Sequence, residues 1–166
     1  SIAVAPLSAW SIICIVLLKN CWYSKRIEAS VIDLGIQRSR ITRNPLAIAP
    51  HYFNEGEIKR DLHEEHPNAR FIFLSAARFV KVKNLKLLIK AFSDVLAKHP
   101  QAILVLVGEG PEKERLERRA IDYKVEKQVI FEPWTDDVYS LYKTADAYVL
   151  SSNHEGWSRA VVEVMA

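Results

Sequence analysis

Basic and acidic side chains that could do chemistry lie just after apolar runs of the sequence. Arg78 and Lys83 follow one such run, and Glu155 and Glu163 follow another. A guanidinium presents a planar fork to phosphate oxygens, and an ammonium acts as a point charge. With the backbone amides at a helix start near Ser158, the two cations make a set of groups suited to bind phosphate without a metal ion.

Two glycines follow a further apolar run. Gly108 and Gly110 form a Gly-x-Gly, but Lys113 occupies the place of the third glycine of a dinucleotide fingerprint. The glycines also follow the second recognisable strand of the sequence, whereas the fingerprint follows the first. This pattern argues against a nicotinamide- or flavin-binding domain.

A metal-dependent way to bind phosphate would use closely spaced carboxylates. The sequence contains no Asp-x-Asp, and its sole close pair of aspartates is Asp136-Asp137. His63 and His66 form a His-x-x-His in a charged stretch, but metal sites normally recruit more ligands and a second shell around them. We therefore expect a hydrated helix face at the histidines, and neither a metal nor another cofactor in this chain.

The elements that must position these residues alternate regularly between residues 71 and 166. The spacing predicts a doubly wound α/β fold with a parallel sheet, in which ligands bind at the carboxyl ends of the strands. Residues 77–84, 108–112 and 151–159 should then lie at one edge of the sheet. The helix that begins at Pro111 should turn Leu116, Ala120 and Ile121 inward. The predicted strands are 71–75, 102–108, 129–131 and 147–151, and the predicted helices are 84–99, that beginning at 111, 137–145 and 159–166.

The first part of the chain follows no regular alternation. Residues 2–18 carry no charge and form either a borderline membrane-spanning helix or a buried strand and helix, of which we favour the buried form. A helix over residues 22–34 should face inward with Ile27, Val31 and Leu34 and end at Gly35. A short strand over residues 40–42, a connector over residues 46–57 and a short helix over residues 58–65 complete this part.

Composition limits the classes of partner. The net charge of +3 is too small to indicate a nucleic-acid-binding protein. Residues 1–45 hold six basic side chains against two acidic ones, a local charge of +4 that suits either a solvated surface or contact with anionic lipid headgroups. The two cysteines, Cys14 and Cys21, make neither a disulfide framework nor a zinc signature, which indicates a reducing compartment.

Four landmarks, taken in order, resemble the donor-binding domain of retaining glycosyltransferases with the GT-B fold, family 4 type (glycosyl transferases group 1). Arg78 and Lys83 resemble the arginine–lysine pair of that family. Residues 107–111 resemble its glycine-rich turn, and residues 151–156 resemble its serine-to-Glu-Gly loop. Glu155 and Glu163 resemble its paired-glutamate motif. The resemblance is firm from residue 75 to residue 166.

The resemblance implies a Rossmann-like domain that is one half of a two-domain enzyme. Residues 1–45 would be the end of the N-terminal acceptor domain, residues 46–68 the connector, and residues 69–166 a donor domain that stops before it is complete. The parent protein would transfer a sugar, with retention and without a metal, from a nucleoside-diphosphate sugar to a glycan or lipid-linked acceptor. It would be cytoplasmic, with peripheral contact at the inner face of the membrane, and the fragment alone would be inactive.

The resemblance also assigns roles to residues. Arg78, Lys83 and Glu155 would take part in catalysis, with Glu155 near the transferred sugar, and Glu163 would hold the ribose hydroxyls. The alternative is a degenerate relative or scaffold that keeps the fold without transfer. For Trp134 and Trp157 we favour packing over stacking on the base. The remaining donor-binding positions are Gly108, Gly110, Gly156, Trp157, Ser158 and Arg159.

Overall fold

A parallel sheet of five strands forms the centre of the described part of the chain. We use a computed structural model that describes residues 13–16, 29–30, 32–41, 49–52, 56–155 and 158–166. The strand order is β1-β5-β2-β3-β4, and all four neighbouring pairs are parallel. The predicted α/β class and parallel sheet are therefore confirmed. The strands are β1 (Ile13–Val16), β2 (Phe71–Ala76), β3 (Ala102–Val107), β4 (Val129–Glu132) and β5 (Ala147–Leu150).

Helices follow strands β2 to β5, as the alternation predicts. Short 3-10 turns lie before β2 at Arg38–Arg40 and Pro50–Tyr52, and a third, at Lys81–Lys83, lies between β2 and the helix that follows it. Residues 29–30 and 32–33 are helical and fall within the helix predicted over residues 22–34. The α-helices described from end to end are α1 (Leu62–Glu65), α2 (Leu85–Leu96), α3 (Lys113–Asp122), α4 (Val138–Thr144) and α5 (Arg159–Met165).

Both faces of β3, an interior strand of the sheet, are covered, which explains its unbroken apolar sequence. Leu104 and Leu106 pack on one face in a cluster with α2 and α3, whereas Val105 and Val107 pack on the other face in a cluster with α4. Side chains of a strand alternate between faces, so a strand buried on both sides must be apolar at every position. Helix α2 contributes Leu88, Ile89 and Phe92 to the first of these clusters, as its spacing predicts.

Three local predictions are wrong. Ile121 is 60% exposed, because the buried stripe of α3 runs through Leu116 and Ala120 and the next residue lies about 100° away around the helix. Leu34 is 82% exposed, since it lies in the turn that ends at Gly35, where φ is +88°. Residues 40–41 do not form a strand: the amide of Ile41 donates to the carbonyl of Arg38 and closes a 3-10 turn. Ile27, Val31 and Thr42 lie outside the described residues.

The helix predicted over residues 58–65 begins only at Leu62. The carboxylate of Asp61 caps it by accepting from the amides of His63 at 2.8 Å and Glu64 at 3.4 Å. Residues 56–61 instead have no regular secondary structure and lie along α4. There the amide of Gly56 donates to the hydroxyl of Tyr139, and that of Lys59 to the hydroxyl of Ser140.

Part of the uncharged segment at residues 2–18 lies in the sheet. Residues 13–16 form β1, which pairs in register with residues 147–150 of β5. The other residues of the segment lie outside the described part, and among the described residues no helix is long and apolar enough to cross a bilayer. The division of the chain near residues 45 and 68 stays a prediction.

Candidate functional site

Three loops meet at the carboxyl edge of the sheet, where the topology predicts a site. We call residues 77–84 the cationic loop, residues 108–112 the glycine loop and residues 151–155 the serine loop. The amide of Phe79 donates to the carbonyl of Glu109 at 2.7 Å, and the amide of Glu112 donates back to the carbonyl of Phe79 at 3.0 Å. The amide of Asn153 donates to the carbonyl of Val82 at 2.9 Å. The cationic loop is therefore hydrogen-bonded to both of the others.

The glycines of the glycine loop are required by the backbone of the cationic loop. Gly108 and Gly110 have φ values of +145° and +152°, which side chains disfavour. A Cβ atom added to Gly108 would lie 2.0 Å from the carbonyl oxygen of Ala77, and one added to Gly110 would lie 2.5 Å from that of Phe79. The two glycines let the loops approach each other closely. Their contact with a donor stays a prediction.

Lys83 and Glu155 form an ion pair across two of the loops. The Nζ atom of Lys83 lies 2.6 Å from Oε1 of Glu155, and the side chains are 23% and 8% exposed. The hydroxyl of Ser152 donates to the same Oε1 atom at 2.5 Å. The structure thus brings together two of the three predicted catalytic residues and adds a serine to which the sequence analysis gave no separate role.

The serine loop is fixed to the cationic loop at further points. The hydroxyl of Ser151 donates to the carbonyl of Lys83 at 2.9 Å, and the side-chain amide of Asn84 donates to that of Asn153 at 2.9 Å. Ser151 and Ser152 are 3% and 2% exposed. These contacts hold together the two loops that carry Lys83 and Glu155, so the backbone positions the two side chains next to each other.

Arg78 lies in the cationic loop, but its side chain is exposed. Among the residues that the structure describes, none forms a hydrogen bond or ion pair with its guanidinium. The structure does not place Arg78 against Lys83 or Glu155. Its predicted role therefore depends on a ligand that would lie between them.

Glu163 is buried in α5 beside two tyrosines that the sequence analysis did not single out. It is 8% exposed, and the Nε atom of Arg159 donates to its Oε1 atom at 3.0 Å. Burial raises the pKa of Tyr52 and Tyr142, and the negative charge of the neighbouring Glu163 carboxylate adds to the increase. The neighbouring Tyr148 also raises the pKa of Tyr142. No sequence signal links positions so far apart, since only the fold brings Tyr52 to Glu163.

The remaining predicted positions fall into two groups. Ser158 caps α5 by accepting from the amide of Val161 at 3.5 Å, and Arg159 pairs with Glu163 as described. Gly156 and Trp157 lie outside the described residues. Trp134 is 53% exposed, so the packing role favoured for it is wrong: it follows β4 at the edge of the sheet, where no core covers it.

The two histidines of the His-x-x-His have separate partners. The Nε2 atom of His63 lies 3.1 Å from Oδ2 of Asp146. His66 lies with Glu65 and Glu132, whose ligand atoms are all within 4.8 Å of one another. The guanidinium of Arg60 hydrogen-bonds to both carboxylates and lowers the pKa of Glu65. The guanidinium already occupies oxygens of both carboxylates and offsets part of their charge, so we do not assign a metal to this cluster.

Comparison with known proteins gives consistent matches. A sequence model of the family described as glycosyl transferases group 1 matches residues 58–166. LpsD of Rhizobium meliloti, a lipopolysaccharide core biosynthesis glycosyltransferase, is 35% identical over 89 residues, which are 54% of this chain and 25% of LpsD. The chain thus spans about a quarter of the length of this relative.

Solved structures share the fold. WaaG, a glycosyltransferase involved in lipopolysaccharide biosynthesis, superposes with a TM-score of 0.73 at 18% identity over 90% of this chain and 41% of WaaG. Anabaena HepE, solved in complex with UDP and glucose, superposes with a TM-score of 0.65 at 20% identity over 83% of this chain and 39% of HepE. These likenesses support a Rossmann-like fold of the GT-B type.

Proposed function

The chain belongs to the glycosyl transferases group 1 family, and from that premise we propose that it binds the nucleoside-diphosphate sugar of a sugar transferase. The observation that carries this proposal is the group formed by Lys83, Glu155 and Ser152 at the carboxyl edge of the sheet. A cation and a carboxylate at this edge match the two ends of a nucleotide sugar. The diphosphate is anionic, and the sugar presents hydroxyl donors.

The proposed role of the cations is to stabilise the leaving group. Breaking the bond between the anomeric carbon and the diphosphate transfers negative charge to the diphosphate in the transition state. Lys83 is partly exposed and would bind a phosphate oxygen as a point charge. Arg78 is exposed in the same loop and would bind a second oxygen through its planar fork. The charge would then be offset by protein groups, and transfer would be independent of a metal ion.

The two glutamates would bind the sugar and the ribose. Glu155 would accept hydrogen bonds from hydroxyls of the transferred sugar. Glu163 would accept from the two ribose hydroxyls, a task that suits a carboxylate with two oxygens. Its partner Arg159 has a side chain that is 69% exposed, so it can leave Oε1 of Glu163 at little cost in burial.

We also propose that the reaction retains the configuration of the sugar, by front-face attack or through a short-lived ion pair. The acceptor would be a glycan or a lipid-linked acceptor, because LpsD and WaaG are named for lipopolysaccharide biosynthesis. A basic segment at residues 1–45 would suit contact with anionic headgroups at the inner face of the membrane. The enzyme would act in the cytoplasm.

A donor panel on the full-length protein tests this proposal. Transfer and binding would be measured with UDP-glucose, UDP-galactose, UDP-N-acetylglucosamine and GDP-mannose. For the best donor, Lys83→Ala should lower kcat/KM by about 100-fold or more, as loss of a group that stabilises transition-state charge does. Glu163→Ala should raise KM through loss of ribose contacts.

The matched control is Lys81→Ala. Lys81 is an exposed lysine in the same 3-10 turn as Lys83, so this variant removes the same charge two positions away. It should retain kcat/KM within about twofold, since a solvated charge contributes little. Nucleotide-sugar binding without transfer to any acceptor would identify a non-catalytic relative. A folded protein that binds none of these donors or their nucleoside diphosphates would refute the proposal.

A further inference from the structure

Two hydrogen-bond donors converge on a single oxygen of Glu155. Both the Nζ atom of Lys83, at 2.6 Å, and the Oγ atom of Ser152, at 2.5 Å, contact Oε1. Among the described residues, none donates a hydrogen bond to Oε2. On the basis of the proposed function, we propose that Ser152 is a positioning residue, which holds the Glu155 carboxylate in place for the sugar once Lys83 has moved to the diphosphate.

The ion pair must be redistributed when a donor binds. The same ammonium is proposed to bind phosphate, and a diphosphate carries more negative charge than one carboxylate. Lys83 is 23% exposed on a flexible four-carbon stem, whereas Glu155 is 8% exposed in a fixed loop. Lys83 is therefore the partner that moves, and Glu155 is the partner that stays.

Without Lys83, Glu155 would lose one of its two donors in a largely buried place. A carboxylate that is removed from water and left without donors is strongly disfavoured. The hydroxyl of Ser152 is 2% exposed and belongs to the serine loop itself, so it remains on Oε1 when the ammonium leaves. Oε2 of Glu155, and the side of Oε1 that Lys83 has left, can then accept hydrogen bonds from hydroxyls of the sugar.

This arrangement separates the binding of the sugar from that of the diphosphate. Among the described residues, the hydroxyl of Ser152 hydrogen-bonds to Glu155 and not to Lys83 or Arg78. Its loss should therefore weaken the interaction with the sugar and leave the affinity for the nucleoside diphosphate alone nearly unchanged. A residue that only supports the fold would weaken both to the same extent.

The neighbouring serine provides a matched control. Ser151 is buried to the same degree, and its hydroxyl donates to the backbone carbonyl of Lys83 rather than to Glu155. Ser151→Ala removes the same atom from the adjacent position. In this variant, the ratio of the affinity for the nucleotide sugar to the affinity for the nucleoside diphosphate should be the same as in the wild type.

The test is calorimetric titration of the full-length protein with UDP and UDP-glucose, or with GDP and GDP-mannose if guanosine is the base that binds. The sugar's contribution is the ratio of the affinity for the nucleotide sugar to the affinity for the nucleoside diphosphate. Ser152→Ala should reduce this ratio by about tenfold, the loss expected for one hydrogen bond to a charged group. Ser152→Thr, which keeps the hydroxyl, should restore it. In a Glu155→Gln background, Ser152→Ala should have a much smaller effect.

The outcomes separate the two proposals. Equal weakening of both ligands by Ser152→Ala, or no weakening of either, would overturn the role of Ser152 while leaving the proposed function intact. Failure of the wild type to bind either nucleoside diphosphate would remove the proposed function, and this inference with it. If Ser152→Ala does not fold, Ser152→Cys keeps a similar volume with a weaker donor and should show the same loss.

Discussion

At the scale of single residues, the glycine loop shows how a position with no side chain sets the geometry of a site. Gly108 is buried and lies directly beneath the backbone of Ala77, whose amide donates to the carbonyl of Val107 at 2.9 Å. Ala77 is the first residue of the cationic loop, which carries Arg78 and Lys83. A change at Gly108 would therefore displace the residues proposed to bind phosphate without touching them.

We expect Gly108→Ala to lower the free energy of unfolding by more than about 2 kcal/mol. The added Cβ would lie 2.0 Å from the carbonyl oxygen of Ala77 at a φ of +145°, so backbone strain and overlap act together. Gly35→Ala is the control, because Gly35 has a φ of +88° but no atom within 4 Å of the added Cβ. It should cost about 1 kcal/mol from φ alone. Urea denaturation of both variants measures the difference, and equal losses would contradict the role of overlap.

Residue types predicted part of the site. They did not predict contacts between residues that are far apart in the sequence. Lys83 and Glu155 were identified from their motifs, but their direct pairing was not, because sequence order does not reveal which side chains share an oxygen. Tyr52 lies beside Glu163 only through the fold. The exposed position of Trp134 was missed, since an aromatic residue after a strand looks the same whether or not a core covers it.

At the scale of elements, apolar runs predicted the strands well because burial on both faces leaves little choice of residue. β3 was predicted over residues 102–108 and spans residues 102–107. Short elements near the start of the described chain were harder. The helix predicted from residue 58 begins at residue 62, since the backbone before it is hydrogen-bonded to α4 instead of to itself. Propensity does not anticipate such a tertiary contact.

The segment over residues 56–61 is bound to the sheet domain by side chains as well. Arg60 bridges Glu65 of α1 and Glu132 of β4, with Nη2 at 2.6 Å from Oε2 of Glu65 and Nη1 at 3.1 Å from Oε2 of Glu132. The carbonyl of Glu132 in turn accepts from the amide of Gly108 at 3.0 Å. The segment that leads into the domain is thus connected to the base of the glycine loop.

We expect Arg60→Met to lower the free energy of unfolding by about 1 kcal/mol at pH 7, a modest loss because Arg60 and Glu65 are each about one-third exposed and solvent screens them. The loss should shrink as the pH falls. Hydrogen bonding to Arg60 holds the pKa of Glu65 below its usual value, so this stability is present above about pH 4.3 and disappears as the carboxylate takes up a proton.

Arg118→Met is the control for Arg60→Met. Arg118 and its partner Glu114 are 74% and 88% exposed and lie 3.6 Å apart, so this pair should contribute a few tenths of a kcal/mol at most. Denaturant titrations at pH 7 and pH 3 provide the comparison. A loss for Arg60→Met that is the same at both values would mean that packing of its stem, and not its charge, explains the effect.

At the scale of the whole molecule, the topology explains why residues distant in sequence could be assigned to one site. Parallel strands joined by right-handed crossovers bring their carboxyl ends to one edge, so three loops had to meet there. The loops also hold one another: the cationic loop receives hydrogen bonds from both neighbours. A site built in this way has its cations and carboxylates placed before a ligand arrives, which lowers the cost of ordering them.

This placement leads to an expectation for the role of metal ions. The charge that develops on the diphosphate would be offset by Lys83 and Arg78, so donor affinity and turnover of the full-length protein should stay within about twofold in excess EDTA. Arg78→Ala should lose about 10- to 100-fold in kcat/KM, and added Mg²⁺ or Mn²⁺ should not restore it, since no metal stands in for a guanidinium in this scheme. The measurement is steady-state transfer with and without chelator in both proteins. Loss of wild-type activity in EDTA with recovery in Mn²⁺ would show that a metal offsets this charge instead of the two cations.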